Sequence, residues 1–166
     1  MTAPAVIDLK ECTLFLVDGT TPTANELEFK FDEGNLTYSI KRNIEYRKDR
    51  GLLDETREGD EEPMDVSFDG RFSAVTSYSG EDVTAQEFLQ QIGAASAYES
   101  TGGACQPYAI DLRLEIDRDC DGVVDEIITF TEFRFEEIGG DFKAGTISVT
   151  GKCNVVRPSS VRTTVA

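Results

Sequence analysis

The strongest signal of the fold lies in residues 34–72, GNLTYSIKRNIEYRKDRGLLDETREGDEEPMDVSFDGRF. In this stretch, two alternating patterns flank a long charged segment. Apolar side chains fall on even-numbered positions in both arms. In the first arm these are Leu36, Tyr38, Ile40, Ile44 and Tyr46, and in the second Met64, Val66, Phe68 and Phe72. Alternation with a period of two predicts half-buried strands in an antiparallel sheet.

The segment between the two arms carries a basic half and then an acidic half. The basic residues are Arg47, Lys48 and Arg50, and the acidic ones are Glu58, Asp60, Glu61 and Glu62. Connections of this length are uncommon in compact domains unless they bind or contact something. We therefore predict a long charged loop, which is either a solvated surface loop or a contact with another copy of the chain.

Length and composition limit the classes of function. A chain of 166 residues suits a single domain over 1–166. The 32 acidic and 16 basic residues give a net charge of -16, which opposes gripping nucleic acid, because phosphate binding relies on Lys and Arg. The chain has no His, the commonest general base, and no motif suggests a substitute, so we expect no enzyme and no cofactor.

The N-terminus and the cysteines add two expectations. MTAPAVIDLKE lacks the apolar region of a secretory signal, and no apolar run is long enough to span a membrane. The four cysteines, Cys12, Cys105, Cys120 and Cys153, are widely spaced and form no CxxC pair. We expect buried free thiols, with a disulfide formed later in an extracellular particle as the alternative.

The rest of the chain reads as further strands and one helix. A run that is apolar on both faces predicts a short buried strand at 12–17. Alternating patterns predict strands at 27–31, 110–116 and 147–155, and a strand near 128–135 with a bulge at Glu132. Thr84 and Glu87 fit a capping box, followed by an apolar stripe at Ala85, Phe88, Leu89 and Ile92. Residues 157–166 read as a polar, mobile tail. The predicted fold is an antiparallel β-sandwich or barrel with one flanking amphipathic helix.

One motif has the spacing of metal ligands. In DRDCDGVVD, Asp117, Asp119, Asp121 and Asp125 could converge on one hard cation, because Gly122 lets the loop bend sharply. The twelfth position is Ile128 instead of the bidentate Glu of an EF-hand. The motif therefore predicts either a calcium site or an acidic turn between two strands.

Residues 34–72, together with the later order of helix, hairpin and the strand GTISVTGKC, resemble the tail tube (major tail) proteins of long-tailed bacteriophages. The resemblance runs from about Leu27 to Cys153. It implies a β-sandwich with a flanking helix, the fold shared by the type VI secretion tube protein. It also implies hexameric rings stacked into a hollow tube, in which each subunit lends strands to an inner barrel and the long loop reaches a neighbouring subunit or ring.

The same resemblance implies partners and a location. The protein would contact other copies of itself and tail proteins such as the tape measure, terminator and distal tail proteins. It would be made and assembled in the host cytoplasm and reside in the virion, where DNA passes through the lumen without specific binding. A net charge of -16 suits a wall to which DNA does not adhere.

Two other functions remain open from the sequence. The DxDxDG turn favours a calcium-stabilised β-sandwich binding module of the adhesin or carbohydrate-binding type, although a sugar-binding module usually displays Trp and this chain has none. A related tail component that caps or completes the tube without polymerising is the third hypothesis. The long charged segment favours the tail tube subunit, because stacked rings need complementary opposite faces.

Overall fold

The structure is a computed structural model that describes residues 11–31, 34–71, 74–76, 82–118 and 122–162. Its elements are β1 (Cys12–Val17), β2 (Glu26–Phe29), β3 (Leu36–Ser39), β4 (Ile44–Asp49), β5 (Leu52–Glu58), β6 (Met64–Arg71), β7 (Ala74–Thr76), β8 (Asp82–Thr84), α1 (Ala85–Gln90), β9 (Ile110–Ile116), β10 (Glu126–Asp141), β11 (Thr146–Cys153) and β12 (Ser159–Arg162). The predicted antiparallel β fold with one short helix is confirmed. None of its described helices is long and apolar enough to cross a membrane.

Eight strands form one antiparallel sheet in the order β2-β1-β9-β10-β11-β6-β3, with β12 also paired to β10. The long strand β10 divides this sheet into two layers. Its first half pairs with β9 and β12, and its second half pairs with β11. The first layer is therefore β2-β1-β9-β10-β12 and the second is β10-β11-β6-β3. The sheet is curled but is not a closed barrel, so the sandwich alternative of the prediction is the one observed.

A bulge in β10 makes the change between layers. Glu132 has a φ of 54°, and the register with β9 shifts between Phe130 and Phe133. The Glu132 N–H donates to the Asp111 carboxylate at 3.0 Å, which holds the bulge in place. A bulge bends its strand, and here it leaves both Phe130 and Phe133 buried. The bulge predicted at Glu132 is confirmed.

The core lies between the two layers. Aromatic rings of opposite layers touch, with ring centroids 4.9 Å apart for Phe29 and Phe68 and 5.5 Å apart for Tyr38 and Phe130. The alternating residues of β6 and β9 are buried as predicted: Met64, Val66, Phe68, Ile110, Leu112, Leu114 and Ile116. A Cβ on Gly70 would collide with the Lys30 carbonyl oxygen, so only glycine allows β6 to approach the end of β2.

The helix α1 covers one side of the core. Its N-cap is Thr84, whose hydroxyl accepts the Glu87 N–H at 3.2 Å, so this half of the predicted capping box is confirmed. The Glu87 carboxylate instead accepts the Ala94 N–H at 2.9 Å and so positions the short 3₁₀ turn that follows. The helix ends early at Gln91, which is left-handed, and Ile92 is exposed, so its assignment to the buried stripe was wrong.

The prediction of a long charged loop was wrong, and this is the main correction. The first arm ends at Ser39, and the charged segment is a second antiparallel pair, β4 with β5, in a separate two-stranded sheet. Ile44 and Tyr46 therefore do not continue β3. The tail also differs, because Ser159–Arg162 pair with β10, an edge that β11 leaves uncovered.

The cysteines fall into different environments. Cys153 is buried, and burial, with a smaller effect from the nearby Asp111 carboxylate, raises the pKa of its thiol to about 12. Cys12 is half-buried, whereas Cys105 is an exposed free thiol. The expectation of buried free thiols therefore holds for Cys153 and is wrong for Cys105. Cys120 lies outside the described residues.

Candidate assembly interface

The β4–β5 hairpin closes through a two-residue turn. Arg50 and Gly51 have φ values of 51° and 83°, and Asp49 pairs with Leu52 on either side of them. Two successive left-handed residues suit the right-handed twist of the flanking strands, and glycine adopts this conformation at no steric cost. The dipeptide Arg50-Gly51 between two charged, alternating runs is the signal that could have predicted this hairpin.

The hairpin has two different faces. On one face, Glu45 lies opposite Arg57, and Arg47 lies opposite Glu55, whose carboxylate is 3.8 Å from the Arg47 guanidinium. On the other face, Tyr46 lies opposite Thr56. The register shifts between Arg47 and Lys48, so that Leu53 pairs with Lys48 and shares the face of Tyr46. One face is thus a ladder of charges, whereas the other carries Ile44, Tyr46 and Leu53 among Glu58, Thr56 and Lys48.

The apolar side chains of the hairpin are exposed. Tyr46 is 62% exposed, and Leu52 and Leu53 at the tip are each 74% exposed. An isolated two-stranded hairpin is only marginally stable in water, and contiguous exposed apolar surface marks an interaction site. Leu52 and Leu53 were not predicted as contact residues, because two adjacent leucines within a charged segment form no alternating pattern.

The residues predicted to make intersubunit contacts are distributed along this hairpin. Arg47 faces Glu55, and the Glu58 carboxylate accepts from the Arg42 guanidinium at 3.1 Å. Lys48 and Arg50 lie near the tip, whereas Asp60, Glu61 and Glu62 follow β5 at the base. Because the charged segment folds back on itself, its basic half lies beside β5. The acidic run 60–62 stays at the base of the hairpin.

A cleft opens at the base of the hairpin, which we call the basal cleft. Its apolar lining is Ile40, Val155 and Val156, and its rim includes the acidic run 60–62. Lys41 at its edge lies 2.6 Å from the Asp65 carboxylate. That hydrogen bond raises the pKa of Lys41 and lowers the pKa of Asp65, so both stay charged near neutral pH.

The second layer ends in two unpaired edges. Among the strands that the structure describes, β3 pairs only with β6, so the backbone of Leu36–Ser39 is open to them on its other side. Residues 137–141 of β10 pair only with β11 among the described strands. Unpaired strand edges are ready to pair with another chain. The layer thus offers one edge on each side.

The face of the second layer that points away from the core is polar. Cross-strand neighbours on it include Thr37, Ser67 and Thr150, with the Lys152 ammonium 3.9 Å from the Asp65 carboxylate. Exposed ion pairs of this kind contribute little to stability, so they fix the local charge balance more than the fold. Cations and carboxylates alternate here, which makes this face mixed in charge.

The predicted metal motif lies between β9 and β10. The Asp117 carboxylate accepts the Gly122 N–H at 2.9 Å, and the Asp125 carboxylate accepts the Arg118 N–H at 2.8 Å. Asp119 and Asp121 lie outside the described residues. No group of three potential ligands converges among the residues that the structure does describe. Two of the four carboxylates therefore serve the turn itself.

Glu126, next to this motif, is a buried carboxylate that lies close to two arginines. Its side chain is 8% exposed and accepts from Arg118 at 2.7 Å and from the Ser160 hydroxyl at 2.8 Å, with Arg162 at 3.6 Å. The Ser160 hydrogen bond and the two guanidinium charges outweigh burial and lower the pKa of Glu126. Glu126 thus joins β12 to β10, a role that no sequence pattern indicated.

No protein family and no curated protein matches this sequence. Several solved structures match the fold. A chain of the cap that terminates the tube of the anti-feeding prophage has a TM-score of 0.58 at 12% sequence identity, covering 98% of this chain and 95% of that chain.

Two structures of an extracellular contractile injection system, PVC, are also similar. The sheath/tube terminator matches with a TM-score of 0.57 at 11% identity, over 96% of this chain and 99% of that chain. The sheath-tube complex matches with a TM-score of 0.56 at 10% identity, over 95% and 93%. The chain therefore has the tail-tube-like fold that its sequence predicted.

Proposed function

We propose that this protein is a structural subunit of a tail tube, belonging to a phage tail or a phage-like injection system. Copies would form hexameric rings that stack into a hollow tube, with other tail proteins at its two ends. The observation that carries the proposal is the hairpin that exposes Tyr46, Leu52 and Leu53 on a sheet of its own. Exposed apolar side chains grouped on one hairpin mark a surface that another protein covers.

The unpaired edges of the second layer supply the lateral contacts of the ring. The outer edge of Leu36–Ser39 in one copy would pair with the edge of residues 137–141 in the next copy. Repeating this contact around a ring joins all second layers into one closed barrel, which removes every unpaired edge of that layer. Closed cyclic symmetry is the usual outcome when one heterologous contact repeats through a fixed rotation.

The polar face of the second layer would then line the lumen. Its hydroxyl groups and balanced ion pairs offer no continuous basic surface for a phosphate backbone. The net charge of -16 per copy adds long-range repulsion of DNA. A genome would therefore pass through such a lumen without specific binding, and the particle that contains it is the proposed location of the protein.

Negative-stain electron microscopy of the purified protein tests the proposal. We expect hollow tubes or stacked rings for the wild type, and neither for a Leu52→Ser, Leu53→Ser variant. Because both side chains are largely exposed, the variant should keep its free energy of unfolding within about 0.5 kcal/mol. Val161→Ser, which alters an exposed side chain far from the hairpin, is the matched control and should assemble normally. A wild type that stays monomeric under all conditions contradicts the proposal.

A tube terminator is the second candidate, since the cap and the sheath/tube terminator are among the similar structures. A terminator forms one ring and does not extend it. Analytical ultracentrifugation at increasing protein concentration separates the two functions. A sedimentation coefficient that keeps rising with protein concentration indicates a tube subunit. A coefficient that levels off at the value of a single ring indicates a terminator.

A further inference from the structure

The turn between β10 and β11 displays an aromatic side chain. Phe142 is 88% exposed, the largest exposure among the large hydrophobic residues of the described chain. The turn around it is ordered, because the Asp141 carboxylate accepts the N–H groups of Lys143 and Ala144 at 3.0 and 3.3 Å. Gly145, with a φ of 68°, completes it. An aromatic ring held outwards by a well-bonded turn has the properties of a preorganised anchor.

The Phe142 turn and the basal cleft lie at opposite ends of the second layer. Register places Asp141 beside Thr146 and Arg71 at one end, and Cys153 beside Met64 at the other. The seven steps of β6 between these ends span about 23 Å at the usual rise of a strand. The Met64 N–H donates to the Val155 carbonyl at 3.1 Å, which fixes the lining of the cleft to the second end.

The chemistry of the two ends is complementary. The cleft offers an apolar floor, with Ile40 51% exposed beside Val155 and Val156. Its cations Lys41 and Arg42 are paired with the Asp65 and Glu58 carboxylates, so the acidic run 60–62 exceeds the remaining positive charge among the described lining residues, which include Arg157. At the other end, Lys143 follows Phe142 and makes no ion pair with any described residue, while the Asp141 carboxylate is used by its own turn.

We infer that the Phe142 turn of one copy inserts into the basal cleft of a second copy, with Phe142 against Ile40 and Lys143 against the acidic run 60–62. This inference rests on the proposed function and assigns its axial contact. The two surfaces are different and face opposite ways, so each contact leaves a free turn and a free cleft. A heterologous contact of this kind propagates instead of closing, which extends a stack of rings.

The first test separates the two halves of the contact. Phe142→Asp removes the apolar anchor, and Ile40→Asp places a charge on the apolar lining of the cleft. Each variant alone should fail to form stacked rings. Truncating a central aromatic anchor should raise the protein concentration needed for stacking about tenfold or more. Phe142→Leu, which keeps an apolar side chain at this position, should retain most of the stacking of the wild type. Circular dichroism checks that each variant is folded.

Mixing the two variants gives a result that a general loss of stability would not produce. Each Ile40→Asp copy still carries an intact turn, and each Phe142→Asp copy still carries an intact cleft. The equimolar mixture should therefore form discrete pairs of rings, seen by ultracentrifugation and microscopy, without longer stacks. A mixture that shows no pairing, from variants that are folded, overturns the inference.

Charge exchange tests the polar part. Lys143→Glu should weaken stacking, and Glu61→Lys with Glu62→Lys in the same chain should restore it. If the wild type forms stacked tubes and Phe142→Asp stacks equally well, the inference is wrong while the proposed function stands. If the wild type forms neither rings nor tubes, the proposed function fails, and the inference fails with it.

Discussion

Glu126 is a residue whose function depends on its ionised form. Its carboxylate holds Arg118 and Ser160 at 2.7 and 2.8 Å, although its own side chain is almost completely buried. A buried carboxylate without these donors would favour its protonated form. The observed partners reverse that preference, so the ionised form stabilises the docking of β12 against β10.

A Glu126→Gln variant measures this contribution. We expect it to lower the free energy of unfolding by about 1–3 kcal/mol at pH 7, since hydrogen bonds to charged groups have that magnitude. The folded-state pKa of Glu126 is lowered, so the stabilisation is fully present above the unfolded pKa of about 4.3 and is lost as pH falls through the folded pKa. Urea denaturation at pH 7 and at successively lower pH follows this difference.

The matched control is Glu137→Gln, which removes an exposed carboxylate from the same strand. It should change stability by less than about 0.5 kcal/mol at every pH. An equal loss for both variants, or a loss for Glu126→Gln that does not shrink as pH falls, would show that the charge of Glu126 does not act as described.

The acidic turn gives a second prediction at the residue scale. If the motif is the calcium site and not the acidic turn, of the two alternatives that the sequence leaves open, calcium releases heat in a calorimetric titration, because alternate carboxylates before Gly122 suit a hard cation. The Asp119→Ala, Asp121→Ala variant should give no binding heat. Identical titration curves for the two proteins would mean that the motif serves only as a turn, as Asp117 and Asp125 already do.

Among the strands, the exposed edge of β10 contains a glycine, Gly140, that the packing within a single copy does not require. A Cβ added to Gly140 would meet only the Thr146 carbonyl oxygen, at 3.8 Å, which is ordinary contact. A glycine within a strand often marks a close approach of another backbone. The neighbouring copy in a ring is the backbone that our proposal places there.

Gly140→Val tests this edge. The variant should fold with the stability of the wild type or slightly more, because glycine in a strand is destabilising by about 0.5–1 kcal/mol. It should nevertheless fail to form closed rings in negative-stain images. Gly151→Ala is the contrasting variant, since its Cβ would collide with the Arg134 carbonyl oxygen and lower stability directly. Normal rings from Gly140→Val would exclude a contact at this position.

At the scale of the whole molecule, net charge opposes assembly. Each copy carries a charge of -16, so copies repel one another and local contacts must overcome that repulsion. In the proposed assembly, the exposed apolar groups of the hairpin and the Phe142 turn would provide short-range attraction between copies. The basic side chains near the hairpin tip, Lys48 and Arg50, provide the charges best placed to meet an acidic neighbour.

Reversing Arg47, Lys48 and Arg50 to Glu should leave the fold intact and abolish assembly, as seen by circular dichroism and microscopy. Because Arg47 already faces Glu55 within its own hairpin, the double variant Lys48→Glu, Arg50→Glu is the sharper test. It changes the tip without placing two carboxylates opposite each other. Polymerisation of the double variant at the wild-type concentration would exclude a contact role for the basic tip.

Sequence patterns alone were enough to predict the β class of the fold, the buried faces of β6 and β9, the bulge at Glu132 and the helix start at Thr84. Each of these follows from interactions among near neighbours or from a side-chain period of two, which a linear pattern records.

The surfaces that are left uncovered follow from long-range strand pairing and not from any sequence pattern. The pattern that continues from Leu36 to Tyr46 looks like one strand, yet the turn at Arg50 and Gly51 pairs its second half with β5 outside the core. Exposure of Leu52, Leu53 and Phe142 depends on which distant strands pair, as does the burial of Glu126. Strand pairing joins residues far apart in the chain, so no local pattern contains the positions of free edges, clefts and exposed anchors on which assembly depends.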